Sequence, residues 1–178
     1  MLKVGFIGLG NVGGKLAGSL LRNGVDLTVR DLDSAIAQPF LDGGAKWADS
    51  PREMAQKVDV LITCLPSPAA SALVMEAEDG ALAGLGPGKI WAEMSTTDKD
   101  EVLRLGEKVR AVGAEPVDCP VSGGCHRAAT GNIAIFAGCE RPTFETMLPL
   151  LTTMGRRILH TGELGSASVL KVVTNYLA

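Results

Sequence analysis

The sequence predicts an α/β protein: a doubly wound, mostly parallel sheet with helices on both faces. Three observations carry this. Short β-rich apolar runs alternate with stretches of helical spacing along the whole chain. "VDVLITCLP" has the nearly continuous apolar character of a strand covered on both faces. Glycines number 22 while aromatics make up only 4%, which suits tight turns and close helix–sheet contacts.

In chain order, "LKVGFIG" is a β-rich run closed by glycines. "NVGGKLAGSLLRNG" has helical spacing, with Val12, Leu16, Leu20 and Leu21 on one side and Gly24 as its stop. "VDLTVRD" is a second strand, "DSAIAQPFLDGG" a short helix made imperfect by Pro39, and "AKWAD" a third strand. "SPREMAQ" carries Ser50 as a helix N-cap, Pro51 at the first helical position and Glu53 three residues after the cap. "KIWAEMS" follows as a strand, and "TTDKDEVLRLGEKVRAVG" as an amphipathic helix capped by Thr or Asp and ended by Gly113. "EPVDCPV" and "NIAIFAG" are later strands, and "RPTFETMLPLLTTMG" is a helix with Pro142 near its start. "RRILHTG" is a last strand, and Gly165 precedes a final helix. No repeat, low-complexity tract or linker interrupts the series.

The 178 residues suffice for one domain with a real core, and 46% apolar with 21% charged residues is globular composition. The net charge is −3, the pI about 5.4, and no Lys/Arg run stands out, so nucleic acid is not an expected partner. No apolar stretch is long enough to span a membrane, and the N-terminal run reads as a strand rather than a signal peptide, so a cytoplasmic location is expected. The cysteines (Cys64, Cys119, Cys125, Cys139) form no CxxC pair. Cys119, Cys125 and His126 match no common zinc spacing, so reduced, mostly buried thiols and no metal are expected.

"GFIGLGNVGG" supplies Gly8, Gly10 and Gly13 as G-x-G-x-x-G, with Asn11 and Val12 inside the turn. It follows a strand and opens a helix, as a Rossmann-like dinucleotide site requires. Gly8 permits the turn, Gly10 lets the backbone approach a pyrophosphate, and Gly13 lets helix and strand pack closely. The helix N-terminus offers free N–H groups to the phosphates. Asp31, at the end of the second strand, is positioned for the adenosine ribose hydroxyls and would repel a 2′-phosphate, favouring NAD over NADP; Arg30 beside it argues the other way.

Five stretches in this order, "FIGLGNVGGKLAGSLLRNG", "TCLPSP", "MSTTDKD", "DCPVSGGCHRAATGNIAIFAG" and "HTGELGSASVLKVVTNYLA", resemble the β-hydroxyacid dehydrogenase family. That family includes 3-hydroxyisobutyrate dehydrogenases, tartronate semialdehyde reductases and, more distantly, 6-phosphogluconate dehydrogenase. The resemblance spans the full length. It implies a Rossmann-like N-terminal domain, a long connecting helix and an all-helical C-terminal domain, with oxidation or reduction of a small hydroxy acid at a non-metal site. It also implies that Leu65 and Pro66 touch the nicotinamide-side ribose and that Thr96 lies near the nicotinamide. Ser122, Gly123 and Gly124 would form the substrate loop, with Lys171 as catalytic acid/base assisted by Asn175 and Ser122.

The chemistry is sensible on its own terms. Carbonyl reduction needs a hydride on carbon and a proton on oxygen, and Lys171 can give that proton or remove it in reverse. Burial and a nicotinamide cation would lower its pKa. Asn175, four residues on, shares its helical face. The glycine-flanked Ser122 offers a hydroxyl and approachable N–H groups to a carboxylate. Each residue has a plainer reading: Lys171 as a snorkelling surface lysine, Asn175 as a helix-end residue, Ser122 as turn chemistry, Ser95 and Thr96 as helix caps, Leu65–Pro66 as a strand end. His160 reads as structural.

The chain departs from the family pattern at three points. His126, Arg127 and Ala128 follow the glycine loop, Thr174 stands where many relatives have a first asparagine, and no proline follows Ser95–Thr96. The final helix carries Val169, Leu170, Val172, Val173, Tyr176 and Leu177 around nearly its whole circumference, as expected of a helix continuing into a larger interior. The expected division is therefore a dinucleotide-binding domain over 1–163 and the start of an interdomain helix over 164–178. The chain alone is expected to bind dinucleotide but turn over poorly, and the family relation implies a homo-oligomer. The alternative is a dinucleotide-binding module without catalysis.

Overall fold

The structure, a computed structural model, describes residues 2–176; Leu177, assigned above to the final helix, lies outside them. Its strands are β1 (Lys3–Ile7), β2 (Asp26–Arg30), β3 (Lys46–Trp47), β4 (Val60–Thr63), β5 (Ile90–Glu93), β6 (Glu115–Asp118), β7 (Val121–Ser122), β8 (Ile133–Gly138) and β9 (Gly155–Gly162). Among the described residues they form one nine-stranded sheet in the order β3-β2-β1-β4-β5-β6-β8-β7, with β9 pairing to β8. The pairs from β3 through β6 are parallel; β8 runs antiparallel to β6 and β7 and parallel to β9.

The helices are α1 (Gly13–Arg22), α2 (Gln38–Asp42), α3 (Pro51–Lys57), α4 (Pro68–Glu76), α5 (Lys99–Ala111), α6 (Gly124–Ala129), α7 (Arg141–Met154) and α8 (Ser166–Tyr176). They cover both faces because the strands alternate. Val60 and Ile62 of β4 enter an apolar layer with Leu16 and Leu20 of α1 and Met147 and Leu151 of α7. Leu61, between them, enters the opposite layer with Met54 of α3, Met75 of α4 and Leu105 and Val109 of α5. Full burial of one such side chain is worth roughly 1.5–3 kcal/mol, so these layers hold the helices to the sheet. Gly5 in β1 has a packing reason: a Cβ there would meet Met54 at 2.6 Å.

Several local expectations need adjustment. Pro39 interrupts nothing: a 3₁₀ turn over Ser34–Ala37 precedes α2, and Pro39 sits in the first turn of α2, where its missing N–H costs no bond. Ser50 caps α3 by accepting from Glu53 N at 3.1 Å, but the Glu53 carboxylate reaches back to Asp49 N at 2.6 Å, one residue before the cap. The α5 cap is Asp98, which accepts from Glu101 N at 2.8 Å. α4 and α6 have no counterpart in the sequence reading. α4 carries the same signal as α3, with Ser67 accepting from Ala70 N and Pro68 in the first turn.

The winding order creates the crevice. From β1 the chain runs outward through β2 and β3, then returns to β4 on the other side of β1. Loops leaving β1 and β4 therefore diverge at the carboxyl edge of the sheet, where α/β sheets bind ligands.

Candidate functional site

The loop after β1 is held from both sides. Gly8 N donates to Arg30 O at 3.0 Å, and Cys64 N donates to Ile7 O at 2.9 Å. Leu9 N donates to Asp31 Oδ2 at 2.7 Å, so the carboxylate at the end of β2 also fixes the glycine turn. Gly8 has φ +100°, and a Cβ there would lie 2.2 Å from Cys64 O. A Cβ at Gly13 would lie 2.0 Å from Gly8 O, so the start of α1 rests directly on the turn. Gly10 is the opposite case: nothing lies within 4 Å of its Cβ position, which faces open space.

That space is a cleft of about 570 Å³ lined by Gly8, Gly10, Asn11, Val12, Gly13, Asp31, Leu65 and Pro66 among others. Its rim carries apolar side chains left in the open: Leu32 is 97% exposed and Leu73 65%, with Ile36 beside them. No side chain caps α1, whose first turn carries no acid, leaving the positive end of its dipole for an anion. Arg30 also lines the cleft, but its guanidinium donates to Ala48 O at 3.0 Å and Asp49 O at 2.5 Å and lies 5.8 Å from the Trp47 ring.

A second cleft, about 310 Å³, shares Val12, Cys64, Leu65 and Pro66 with the first and adds Met94, Ser95, Thr96, Val121, Gly124, Ile133 and Lys171. Ser95 is no helix cap. Its Oγ accepts from Leu65 N at 2.7 Å, tying the loop after β4 to that after β5. Ser95 N in turn donates to Glu93 Oε1 at 2.9 Å. Glu93 is buried, which raises its carboxyl pKa against the opposing bond from Ser95. Burial likewise pulls the Lys171 ammonium below its ordinary value of 10.5. Cys64, which lines both clefts, is pushed up to about 12 by burial and then by the Glu93 charge, so it is a neutral thiol and no nucleophile at physiological pH.

The sequence-derived candidates divide cleanly. Gly8, Gly10, Asn11, Val12, Gly13, Asp31, Leu65 and Pro66 line the larger cleft; Thr96, Gly124 and Lys171 line the smaller. Ser122, Gly123 and Asn175 line neither. Ser122 is half-buried and pairs with Ala134 on β8, while Gly123 and Asn175 are exposed. His126 and Arg127 are exposed on α6. Cys119 and Cys139 are buried, Cys64 half-buried and Cys125 exposed. His160 is structural, with Nε2 2.8 Å from Cys139 O and its ring stacked on Phe144. Sequence reasoning missed Leu32, Ile36 and Leu73, and it missed Glu93. The Ser67–Pro68 pair, which starts the helix bearing Leu73, could have flagged one of them. No described helix is long and apolar enough to cross a membrane.

The arrangement fits a dinucleotide. Gly10 leaves room for a pyrophosphate to pass, Gly8 and Gly13 hold the turn, Asp31 stands at the far end, and the apolar rim can flank a flat base.

Comparison with known proteins points the same way. Residues 3–162 match the family profile of the NAD binding domain of 6-phosphogluconate dehydrogenase. The chain is 36% identical over 172 residues to a probable mitochondrial 3-hydroxyisobutyrate dehydrogenase of Dictyostelium discoideum, covering 97% of this chain and 54% of that protein. It is 36% identical to an NAD-dependent L-serine dehydrogenase of Pseudomonas aeruginosa, covering 99% of this chain and 59% of that one. The structure of Psf3 in complex with NADP+ and 2-OPP superposes with a TM-score of 0.94 at 28% identity, over 98% of this chain and 62% of that one. The chain thus spans about half the length of the curated relatives it matches.

Proposed function

We propose a reaction for this chain, which belongs to the family of the NAD binding domain of 6-phosphogluconate dehydrogenase: it carries the cofactor site and acid/base of an oxidoreductase that interconverts a small β-hydroxy acid and its semialdehyde or keto acid. The observation that carries this reading is the sharing of one cleft by Lys171, Thr96 and Gly124 with Leu65 and Pro66, continuous with the glycine turn. In this reading residues 1–163 are the dinucleotide-binding unit and 164–178 the start of an interdomain helix.

A bound nicotinamide dinucleotide supplies the hydride acceptor or donor. The turn from Gly8 to Gly13 would hold its pyrophosphate, Asp31 its adenosine ribose, and Leu65, Pro66 and Thr96 its nicotinamide half. Lys171 takes the hydroxyl proton during oxidation and returns it during reduction. Its lowered pKa makes the neutral amine accessible. Gly124 holds the substrate carboxylate through its backbone N–H group, joined in this proposal by Ser122 and Gly123 before it, and Asn175 orients the reacting hydroxyl, although these three line neither cleft of this chain. The names of the two relatives above support the substrate class: 3-hydroxyisobutyrate and L-serine each carry an alcohol on the carbon β to a carboxylate.

NAD is the proposed cofactor, with NADP disfavoured. The Asp31 carboxylate would repel a 2′-phosphate, and Arg30, the cation that could receive one, is engaged by the Ala48 and Asp49 carbonyls.

The test is Lys171→Ala in the full-length natural protein, assayed with short hydroxy acids and with NAD and NADP separately. Turnover is expected to fall by on the order of 10²–10⁴-fold with NADH binding retained. In the unsubstituted protein the oxidation rate should rise with pH through an apparent pKa below 10.5. Unchanged turnover in the variant would assign the proton to another group. Binding without turnover in any arm would favour a non-catalytic module.

A further inference from the structure

We propose that Asp118 is the positioning residue for Lys171, acting as the N-cap that α8 lacks. This rests on the reading of Lys171 as the acid/base, and its test below separates the two claims.

Gly165 occupies the N-cap position of α8, because its carbonyl accepts the first helical bond, from Val169 N at 3.3 Å. It has φ +87°, and a Cβ there would lie 3.0 Å from Lys99 Cγ, so this position has no side chain with which to cap. Ser166, the first helical residue, turns its hydroxyl to Glu163 O at 2.6 Å and to Thr161 Oγ1 at 2.7 Å. The N–H at the third helical position, normally satisfied by the cap side chain, belongs to Ser168. It donates instead to Asp118 Oδ2 at 2.7 Å, from the end of β6 and 50 residues away. The Ser168 hydroxyl donates to Asp118 Oδ1 at 2.7 Å, so both carboxylate oxygens grip one residue.

The grip is buried and local. Asp118 is fully buried and Ser168 nearly so. Ala167 and Ser168 are the buried residues of α8, while Val169, Val172, Val173 and Tyr176 further along are exposed. The helix is thus fully buried only at its first turn; beyond it Leu170, Lys171 and Thr174 are half-buried and the rest of the described residues are exposed. Lys171 lies three residues after Ser168, on the same face and one turn on. A slip of one residue at the clamp would swing Lys171 by about 100° around the helix axis. Asp118 lines neither cleft, so its effect on the lysine runs through the helix. Burial raises the Asp118 carboxyl above its ordinary value against the two bonds from Ser168, so the clamp rests on those bonds and not on charge.

The experiment compares Asp118→Ala, Asp118→Asn, Ser168→Ala and Lys171→Ala in the full-length natural protein. It reads kcat, KM, NADH affinity and deuterium exchange of the first-turn amides of α8. Asp118→Ala is expected to lower kcat by on the order of 10²-fold through misplacement of the lysine, with NADH affinity unchanged and faster exchange in α8. Asp118→Asn should recover most of the turnover, because its carbonyl can accept from Ser168 N and its amide can donate to Ser168 Oγ. Ser168→Ala should fall between them. Wild-type kcat and exchange in Asp118→Ala, beside an inactive Lys171→Ala, would overturn the clamp while sparing the lysine. An active Lys171→Ala would remove the acid/base reading alone, and exchange in α8 would still decide the clamp. If Asp118→Ala does not fold, Ser168→Ala decides: unchanged kcat and exchange there would overturn the proposal.

Discussion

The glycine turn of the larger cleft is one run of consecutive residues, whereas the lysine end is assembled from segments far apart in the chain. Residues 7–13 supply the turn, its floor and the start of α1, and one side chain, Asp31, fastens it through Leu9 N. The lysine end draws Leu65 and Pro66, Ser95 and Thr96, Val121, Gly124, Ile133 and Lys171 into one space. Long-range bonds hold it: Ser95 to Leu65 across 30 residues, Asp118 to Ser168 across 50. In the proposed reading, binding is a property of backbone shape that starts from the local turn, and reactivity is a property of tertiary placement fastened by two buried carboxyl groups. Glu93 and Asp118 face each other in register on adjacent strands, one fixing the loop side of the cleft and the other the helix side.

The contrast can be broken first at the glycine end, where the effect should be largest. Gly13→Ala forces a methyl to 2.0 Å from the Gly8 carbonyl, a backbone atom that cannot swing aside. A loss of about 1–3 kcal/mol of stability together with loss of NADH binding is expected, read by denaturant unfolding and fluorescence titration. Full stability in that variant would mean the turn yields more easily than its bonds imply.

The smallest expected effect tests the carboxyl behind the lysine end. A group whose folded pKa lies above its ordinary 4.5, as burial makes that of Glu93, takes up a proton on folding between the two values. Its stabilising contribution is full below 4.5 and is lost as pH rises through the raised pKa. Glu93→Gln keeps the shape and cannot titrate. It should therefore melt above the natural protein at neutral pH, with the gap closing as pH falls toward 4.5. A pH-independent gap would show that Glu93 is charged throughout.

The same contrast explains what could be read from sequence. β1, the turn, α1, β2 and Asp31 were legible because strand, glycines, helix and acid follow one another at fixed spacing. α4 was not: its buried residues are only Ser71 and Met75, and Leu73 between them faces the open rim, so no apolar stripe marks it. α6 begins on a pair of glycines and spans one and a half turns, too short to show a period. The antiparallel β7–β8 pair was hidden because composition does not encode strand direction. Lys171 stood out through the family resemblance, but the bonding of Ser168 to Asp118 could not, since nothing in "VDCPV" and "SASVLK" marks them as neighbours. Asn175 shares Lys171's helix yet is exposed and outside both clefts.

The most direct test of this division is a calorimetric titration of NADH into this chain and its Gly10→Ala variant, with melting temperatures measured alongside. Nothing lies within 4 Å of the added methyl, so the fold should be untouched, yet in the proposed binding mode the methyl would enter the path of the pyrophosphate. The prediction is an unchanged melting temperature with binding weakened at least tenfold, about 1.4 kcal/mol. Equal affinity in the two proteins would contradict the account, because the dinucleotide would then not pass over the glycine turn.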